Sequence, residues 1–93
     1  MFSVNEYFGG KVKSIAFQTE EGRATVGVMA PGEYEFSTNA VEFMTITSGL
    51  MSVRLPGSDE WVDYRDFETF RVDKDQKFQV KVLEDTSYRC IYK

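Results

Sequence analysis

Short runs of alternating polar and apolar residues, rich in Val, Ile, Thr, Phe and Tyr, recur along the whole chain. Each run ends at Gly, Pro, Asp or Asn, and no window of a dozen residues has the apolar spacing and caps of a helix. Alternation with a period of two is typical of half-buried β-strands, and short strands at this spacing favour a sandwich or barrel. The pattern predicts an all-β protein with turns or loops over 5–10 and 19–23. The strands are predicted at 11–18, 24–29, 33–37, 42–48, 50–55, 60–64, 68–72, 77–82 and 87–92.

The alternation also predicts which side chains face the interior. Glu42 shares a face with Met44 and Ile46, so it points inward if they do. An interior carboxylate is costly unless it is neutralised or paired. Glu42 is therefore either a ligand-contacting group or a residue at the mouth of the fold that accepts hydrogen bonds from loop amides. The other inward sets are Tyr34 with Phe36, Met51 with Val53 and Leu55, Phe78 with Val80 and Val82, and Tyr88 with Cys90 and Tyr92.

Length and composition limit the classes of protein that fit. The 93 residues predict one domain, 1–93, with a thin core that an oligomeric partner would help to complete. A net charge of −4 argues against binding to nucleic acid or to an acidic membrane. The lone cysteine, Cys90, excludes an intrachain disulfide, and its apolar setting predicts a buried structural thiol. The sequence begins without a signal peptide and has no apolar run of membrane-spanning length, so a cytoplasmic location is expected.

The stretch from Gly32 to Gly49 has the most informative spacing in the chain. It reads as a strand, a turn and a second strand, and it resembles the first signature of the cupin barrels. In that signature two histidines and a glutamate usually bind a metal. Glu42 and the glycines are retained here, but Phe36 and Thr38 stand where the histidines would be. Because the chain contains no histidine, no metal site of this type is expected.

Four blocks carry a wider resemblance: NEYFGGKVKSIAF, GRATVGVM, GEYEFST followed by MTITSG, and DTSYRCIY. Together they resemble the pyrimidine/purine nucleoside phosphorylase family of the cupin superfamily over nearly the whole chain. The resemblance implies a single-domain, cupin-like jelly-roll β-barrel that forms a homodimer in the cytosol. It also implies phosphorolysis, in which a nucleoside and inorganic phosphate give a free base and a pentose 1-phosphate. Purine and pyrimidine nucleosides are both expected substrates, with phosphate as co-substrate and no other cofactor.

The chain departs from the resemblance around the second cupin signature. Phe67, residues 73–75 and Gln79 stand where relatives have a glycine, a Pro-Gly-His turn and a further histidine. The first signature has also lost its histidines, so we interpret the second loss as a vestige of the metal site rather than as a loss of activity.

For this reaction we hypothesise roles for seven residues, each of which also has a structural alternative. Arg23 follows a glycine at a strand entrance, and its guanidinium suits phosphate. Ser37 or Thr38 would assist it, although turn hydroxyls usually cap backbone groups. Glu42 is the catalytic candidate, holding ribose hydroxyls or favouring developing positive charge. Stacking on the base, which every base permits, is assigned to three aromatic residues that are otherwise core: Phe36, Phe78 and Tyr88.

Two other functions fit parts of the pattern. A non-catalytic cupin that binds a small nucleoside or sugar phosphate would have aromatic walls but no anion site. A metal-dependent cupin oxygenase or isomerase is disfavoured, because a site of two histidines and one carboxylate cannot be assembled.

Overall fold

The computed structural model describes residues 1–93 and consists of ten β-strands and one single-turn 3₁₀ helix over Phe8–Gly10. The all-β prediction is confirmed, and most strand bounds lie within two residues of those expected from alternation. The strands are β1 Val4–Tyr7, β2 Val12–Thr19, β3 Gly22–Met29, β4 Gly32–Ser37, β5 Glu42–Ser48, β6 Leu50–Arg54, β7 Val62–Arg65, β8 Thr69–Val72, β9 Lys77–Val82 and β10 Thr86–Tyr92.

The strands form two antiparallel sheets. The larger has six strands in the order β1-β2-β3-β10-β5-β8, and the smaller has four in the order β4-β9-β6-β7. The last strand, β10, therefore lies in the middle of the larger sheet, paired with β3 on one side and β5 on the other. The hydrogen-bonded ladders stay separate and do not close into one continuous sheet. No helix of the fold has the length and apolar character needed to cross a membrane.

The core lies between the two sheets. The larger sheet contributes Met44 and Ile46, the smaller contributes Phe78 and Val80, and all four are at most 5% exposed. The inward faces predicted from alternation are confirmed for the strands that carry these residues, because a period of two leaves only one face for the apolar side chains. Cys90 is a buried free thiol, as predicted.

The turn predicted over 5–10 is wrong in its first half. Residues 4–7 form β1, which pairs with β2 through Tyr7 opposite Val12, and the chain turns over Phe8–Gly10 and Lys11. All four β1 residues are exposed, so this edge strand is held by its ladder and not by an apolar face. The loop predicted over 19–23 is also shorter than expected, since Glu20 and Glu21 alone connect β2 to β3.

Candidate active site

Two adjoining cavities open at one end of the fold and share part of their walls. The inner cavity has a volume of about 150 Å³ and is lined mainly by hydrophobic side chains. The outer cavity has a volume of about 380 Å³ and a largely polar lining. Four residues line both cavities, and we call this set the neck: Tyr7, Ser37, Glu42 and Tyr92.

The neck residues meet because each stands at the end of a strand. Tyr7 ends β1, Ser37 ends β4 and Tyr92 ends β10, while Glu42 begins β5. Antiparallel pairing of β5 with β10 places Glu42 directly opposite Tyr92. The neck is therefore built from both sheets, at the edge of the core.

Glu42 lies at the neck with its carboxylate partly buried. Its hydrogen-bond partner is the Cys90 thiol, which donates to Oε1 over 3.5 Å, and no loop amide reaches it. Burial raises the pKa of Glu42 above the usual carboxyl value, an effect opposed by the Cys90 hydrogen bond and by the charge of Arg23. The same burial, together with the Glu42 charge, raises the pKa of the Cys90 thiol, so the sulfur stays protonated as a donor. Glu42 is therefore a carboxyl whose proton is held more tightly than in solution, a property typical of functional sites.

Arg23 lies in the wall of the outer cavity, beside the neck. Its Cζ is 4.2 Å from the centre of the Tyr92 ring, a distance at which a guanidinium and an aromatic face attract each other. The Tyr92 hydroxyl is in turn 3.1 Å from the Thr25 hydroxyl. The four ion pairs of the protein involve other residues, so the Arg23 charge has no carboxylate partner within 4.0 Å. Arg23 is thus oriented by an aromatic ring and free to bind an anion.

The two candidate hydroxyls differ in what they contact. Thr38 is buried, and its Oγ1 donates to the Asp73 carbonyl over 2.7 Å and accepts from the Gln76 amide over 2.9 Å. That hydroxyl fixes the loop before β9, which is the capping alternative considered from the sequence. Ser37 is exposed at the neck, and its side-chain hydroxyl makes no hydrogen bond to another group of the protein. Of the two hydroxyls, Ser37 is the one available to a ligand.

The three aromatic residues assigned to base stacking all line the inner cavity. Phe36 and Phe78 face each other across β4 and β9 with ring centres 5.6 Å apart. Tyr88 lies on the opposite sheet, and burial raises its pKa to about 12, so its hydroxyl is neutral at physiological pH. The inner cavity therefore has aromatic walls on both sheets.

Sequence reasoning missed Tyr7 and Tyr92 as site residues. Tyr92 had a usable signal, because alternation already turned it inward with Cys90. Tyr7 had none, since β1 carries no alternating apolar pattern. Two further polar residues of the site were also missed, Ser14 in the inner cavity and Thr25 in the outer cavity. Their positions depend on how the strands pair, which the sequence pattern does not specify.

Comparison with known proteins identifies the family. The family model described as pyrimidine/purine nucleoside phosphorylase matches residues 2–92. The chain belongs to the pyrimidine/purine nucleoside phosphorylase family. A relative of that name from Alcanivorax borkumensis is 61% identical over 92 residues, which cover 99% of this chain and 98% of the relative. The predicted family is confirmed.

Solved structures support the fold. A protein of unknown function from Vibrio parahaemolyticus superposes with a TM-score of 0.92 at 39% identity, covering 97% of this chain and 96% of that one. An RmlC-like cupin from Shewanella frigidimarina superposes with a TM-score of 0.75 at 14% identity, covering 97% and 81%. The second likeness shows that this member of the nucleoside phosphorylase family has a cupin-like fold.

The residues at the cupin metal position do not fit a metal ion. Phe36 offers no donor atom, and the Thr38 hydroxyl is occupied by backbone groups. No group of three or more Cys, Asp or Glu side chains in the structure converges closely enough to hold a metal. Glu42 therefore lacks the partner ligands that a metal ion at this position would need.

Proposed function

We propose that this protein cleaves purine and pyrimidine nucleosides by phosphorolysis, releasing the free base and a pentose 1-phosphate. The observation that carries the proposal is the position of Glu42, a partly buried carboxyl at the neck between an aromatic cavity and a cavity that contains an unpaired guanidinium. The family assignment and the names of its relatives support the same reaction. The two sheets act as the opposing walls of a flattened cupin barrel, with the substrate held at its mouth.

The arrangement of the cavities suits the geometry of the reaction. A phosphate oxygen forms a bond to C1′ of the sugar while the bond from C1′ to the base nitrogen breaks, and the electron pair leaves with the base. Phosphate and base must therefore lie on opposite sides of C1′. With the base in the inner cavity and phosphate in the outer cavity, C1′ lies at the neck beside Glu42. Such positioning supplies much of the rate enhancement in reactions that join two substrates.

Each part of the site then has one chemical task. The C–N bond loosens through a state with positive charge on the sugar, as in glycoside cleavage. The Glu42 carboxylate stabilises that charge or holds the ribose hydroxyls. Arg23 and Ser37 bind phosphate, and stacking by Phe36, Phe78 and Tyr88 holds the base. Stacking without bidentate edge contacts accepts both purine and pyrimidine bases.

Incubating the purified protein with uridine or inosine, with and without inorganic phosphate, tests the proposal. We expect free base and pentose 1-phosphate to form only when phosphate is present, as measured by chromatography. A metal chelator should leave the rate unchanged. Absence of base release from both nucleosides would contradict the proposal and would favour the alternative, a cupin that binds a nucleoside or sugar phosphate without turnover.

Replacing Arg23 with glutamine tests the phosphate site. The guanidinium donates charge-assisted hydrogen bonds worth about 1.5–3 kcal/mol, so the KM for phosphate should rise by about 10- to 100-fold. The KM for the nucleoside should change much less. Arg89→Gln is the matched control, because Arg89 is exposed on the outer face of the same sheet and lines neither cavity. Equal effects of the two substitutions on the phosphate KM would refute the role of Arg23.

A further inference from the structure

The inner cavity has a definite size, and this sets a limit on the base that it encloses. Its volume is about 150 Å³. An engineered apolar protein cavity of about 150 Å³ holds one benzene molecule. The inner cavity is therefore matched to a single six-membered ring, which is the size of a pyrimidine base.

The cavity wall continues inward from the neck along β5. Glu42, Met44 and Ile46 share the inner face of this strand. Glu42 lies at the neck, Met44 lines the inner cavity, and Ile46 is fully buried and lines no part of it. A ring that passes Glu42 therefore meets Met44 next, and Met44 separates the cavity from the core on this strand.

The fused ring system of a purine needs more room than this wall leaves. Relative to a pyrimidine it adds the atoms N7, C8 and N9. A purine base must either displace the Met44 side chain or remain partly in the neck, which moves C1′ outward from Glu42. Methionine is unbranched and adaptable, so the larger base is admitted at a cost rather than excluded.

The polar groups of the inner cavity do not favour one pyrimidine over another. Ser14 and Tyr88 are both at most 6% exposed, and both line the cavity. A neutral hydroxyl donates one hydrogen bond and accepts others, so it pairs with either a carbonyl or an amino group on the base. The selection that this cavity makes is therefore one of size.

We infer that this enzyme prefers nucleosides with single-ring bases, and that Met44 is the residue that sets the preference. The inference rests on the proposed phosphorolysis and refines it. Discrimination by size in an apolar pocket typically amounts to about 10- to 200-fold. We therefore expect kcat/KM for uridine to exceed that for inosine by at least about tenfold, with uridine and cytidine differing much less.

The Met44→Ala variant provides the direct test. It removes Cγ, Sδ and Cε beside the cavity, so the ratio of kcat/KM for uridine to that for inosine should fall several-fold towards one. The matched control is Met51→Ala, because Met51 is a fully buried core methionine that lines neither cavity. Met51→Ala loses comparable packing and should leave the ratio unchanged. If Met44→Ala does not fold, Met44→Val removes less volume and should lower the ratio in the same direction.

Two further measurements separate this inference from the proposed function. Uracil should bind the unmodified protein at least about tenfold more tightly than hypoxanthine by calorimetry, which requires no catalysis. If both nucleosides are cleaved with equal kcat/KM, the size preference is wrong while phosphorolysis stands. A ratio that changes equally in the Met44 and Met51 variants overturns the role of Met44. If neither nucleoside is cleaved, the proposed function fails. Tighter binding of uracil than of hypoxanthine would then still support a cavity that selects single-ring bases.

Discussion

Replacing Glu42 with glutamine is expected to lower kcat/KM for phosphorolysis by about 100-fold or more, the usual effect of removing one group that stabilises charge in the transition state. Glutamine keeps the shape of the side chain but cannot carry the negative charge that stabilises the positive charge on the sugar. The loss should fall mainly on kcat, because that charge develops only as the C–N bond breaks. Steady-state rates with uridine at saturating phosphate measure the effect.

Glu20→Gln is the control for this experiment. Glu20 lies in the exposed turn between β2 and β3 and lines neither cavity. Its substitution changes the net charge by the same amount as Glu42→Gln. Its kcat/KM should equal that of the unmodified protein. An unchanged rate in Glu42→Gln would remove the carboxylate from the mechanism, even if phosphorolysis itself is observed.

The same substitution should leave the protein at least as stable at neutral pH. Burial raises the pKa of Glu42 in the folded state. Between the ordinary carboxyl pKa and this raised value, the folded protein retains a proton that the unfolded chain has lost, so the free energy of unfolding falls as the pH rises. Glutamine has no such dependence. The melting temperature of the variant minus that of the unmodified protein should therefore increase between about pH 4 and about pH 8. A loss of activity combined with a gain in stability identifies a residue kept for function.

Gly27→Ala is expected to cause a large loss of stability. Gly27 lies in β3 opposite Ser14 on one side and Tyr88 on the other. A Cβ atom here would lie 2.5 Å from the Tyr88 hydroxyl oxygen and 2.7 Å from the backbone carbonyl oxygen of Lys13. The tyrosine can move, but the carbonyl belongs to the neighbouring strand. Overpacking of this kind costs about 1–3 kcal/mol, and we expect the upper end, a fall in melting temperature of about 10–20 °C.

Gly57→Ala separates this steric effect from the backbone preference of glycine. Gly57 has φ of 76° in an exposed turn and nothing within 4 Å of an added Cβ, so its substitution costs only the left-handed conformation, about 1 kcal/mol. Calorimetry of the two variants gives the comparison. If Gly27→Ala melts no lower than Gly57→Ala, then Gly27 does not make room for Tyr88. Displacement of Tyr88 should also reduce activity in the Gly27 variant alone, because its ring lines the inner cavity.

The parts of the site that the sequence predicts are those that follow from a single strand. Glu42 faces inward because Met44 and Ile46 do, and Phe36 and Phe78 follow from their own alternation. The resemblance of four sequence blocks then supplied the family. These predictions needed no knowledge of how one strand pairs with another.

The remaining features depend on strand pairing, which alternation does not specify. The contact between Cys90 and Glu42 requires the register of β10 against β5. The capping role of the Thr38 hydroxyl requires the loop that precedes β9 to lie beside β4. Tyr7 joins the neck only because β1 adds to the edge of the larger sheet, although its residues have no apolar pattern.

The position of β10 has a consequence for how the protein folds. Because β10 lies between β3 and β5, the larger sheet begins as two separate groups of strands, β1-β2-β3 and β5-β8. Before β10 is inserted, the edge of β3 in the first group and the edge of β5 in the second are unpaired. Neither edge can be filled until β10 has emerged from the ribosome, and contacts so distant in sequence form slowly. Until then both edges are free to pair with other chains. The nascent protein therefore faces its greatest risk of aggregation just before its last strand is inserted, and substitutions that weaken β10 should lower soluble yield more than substitutions of equal cost in the edge strands.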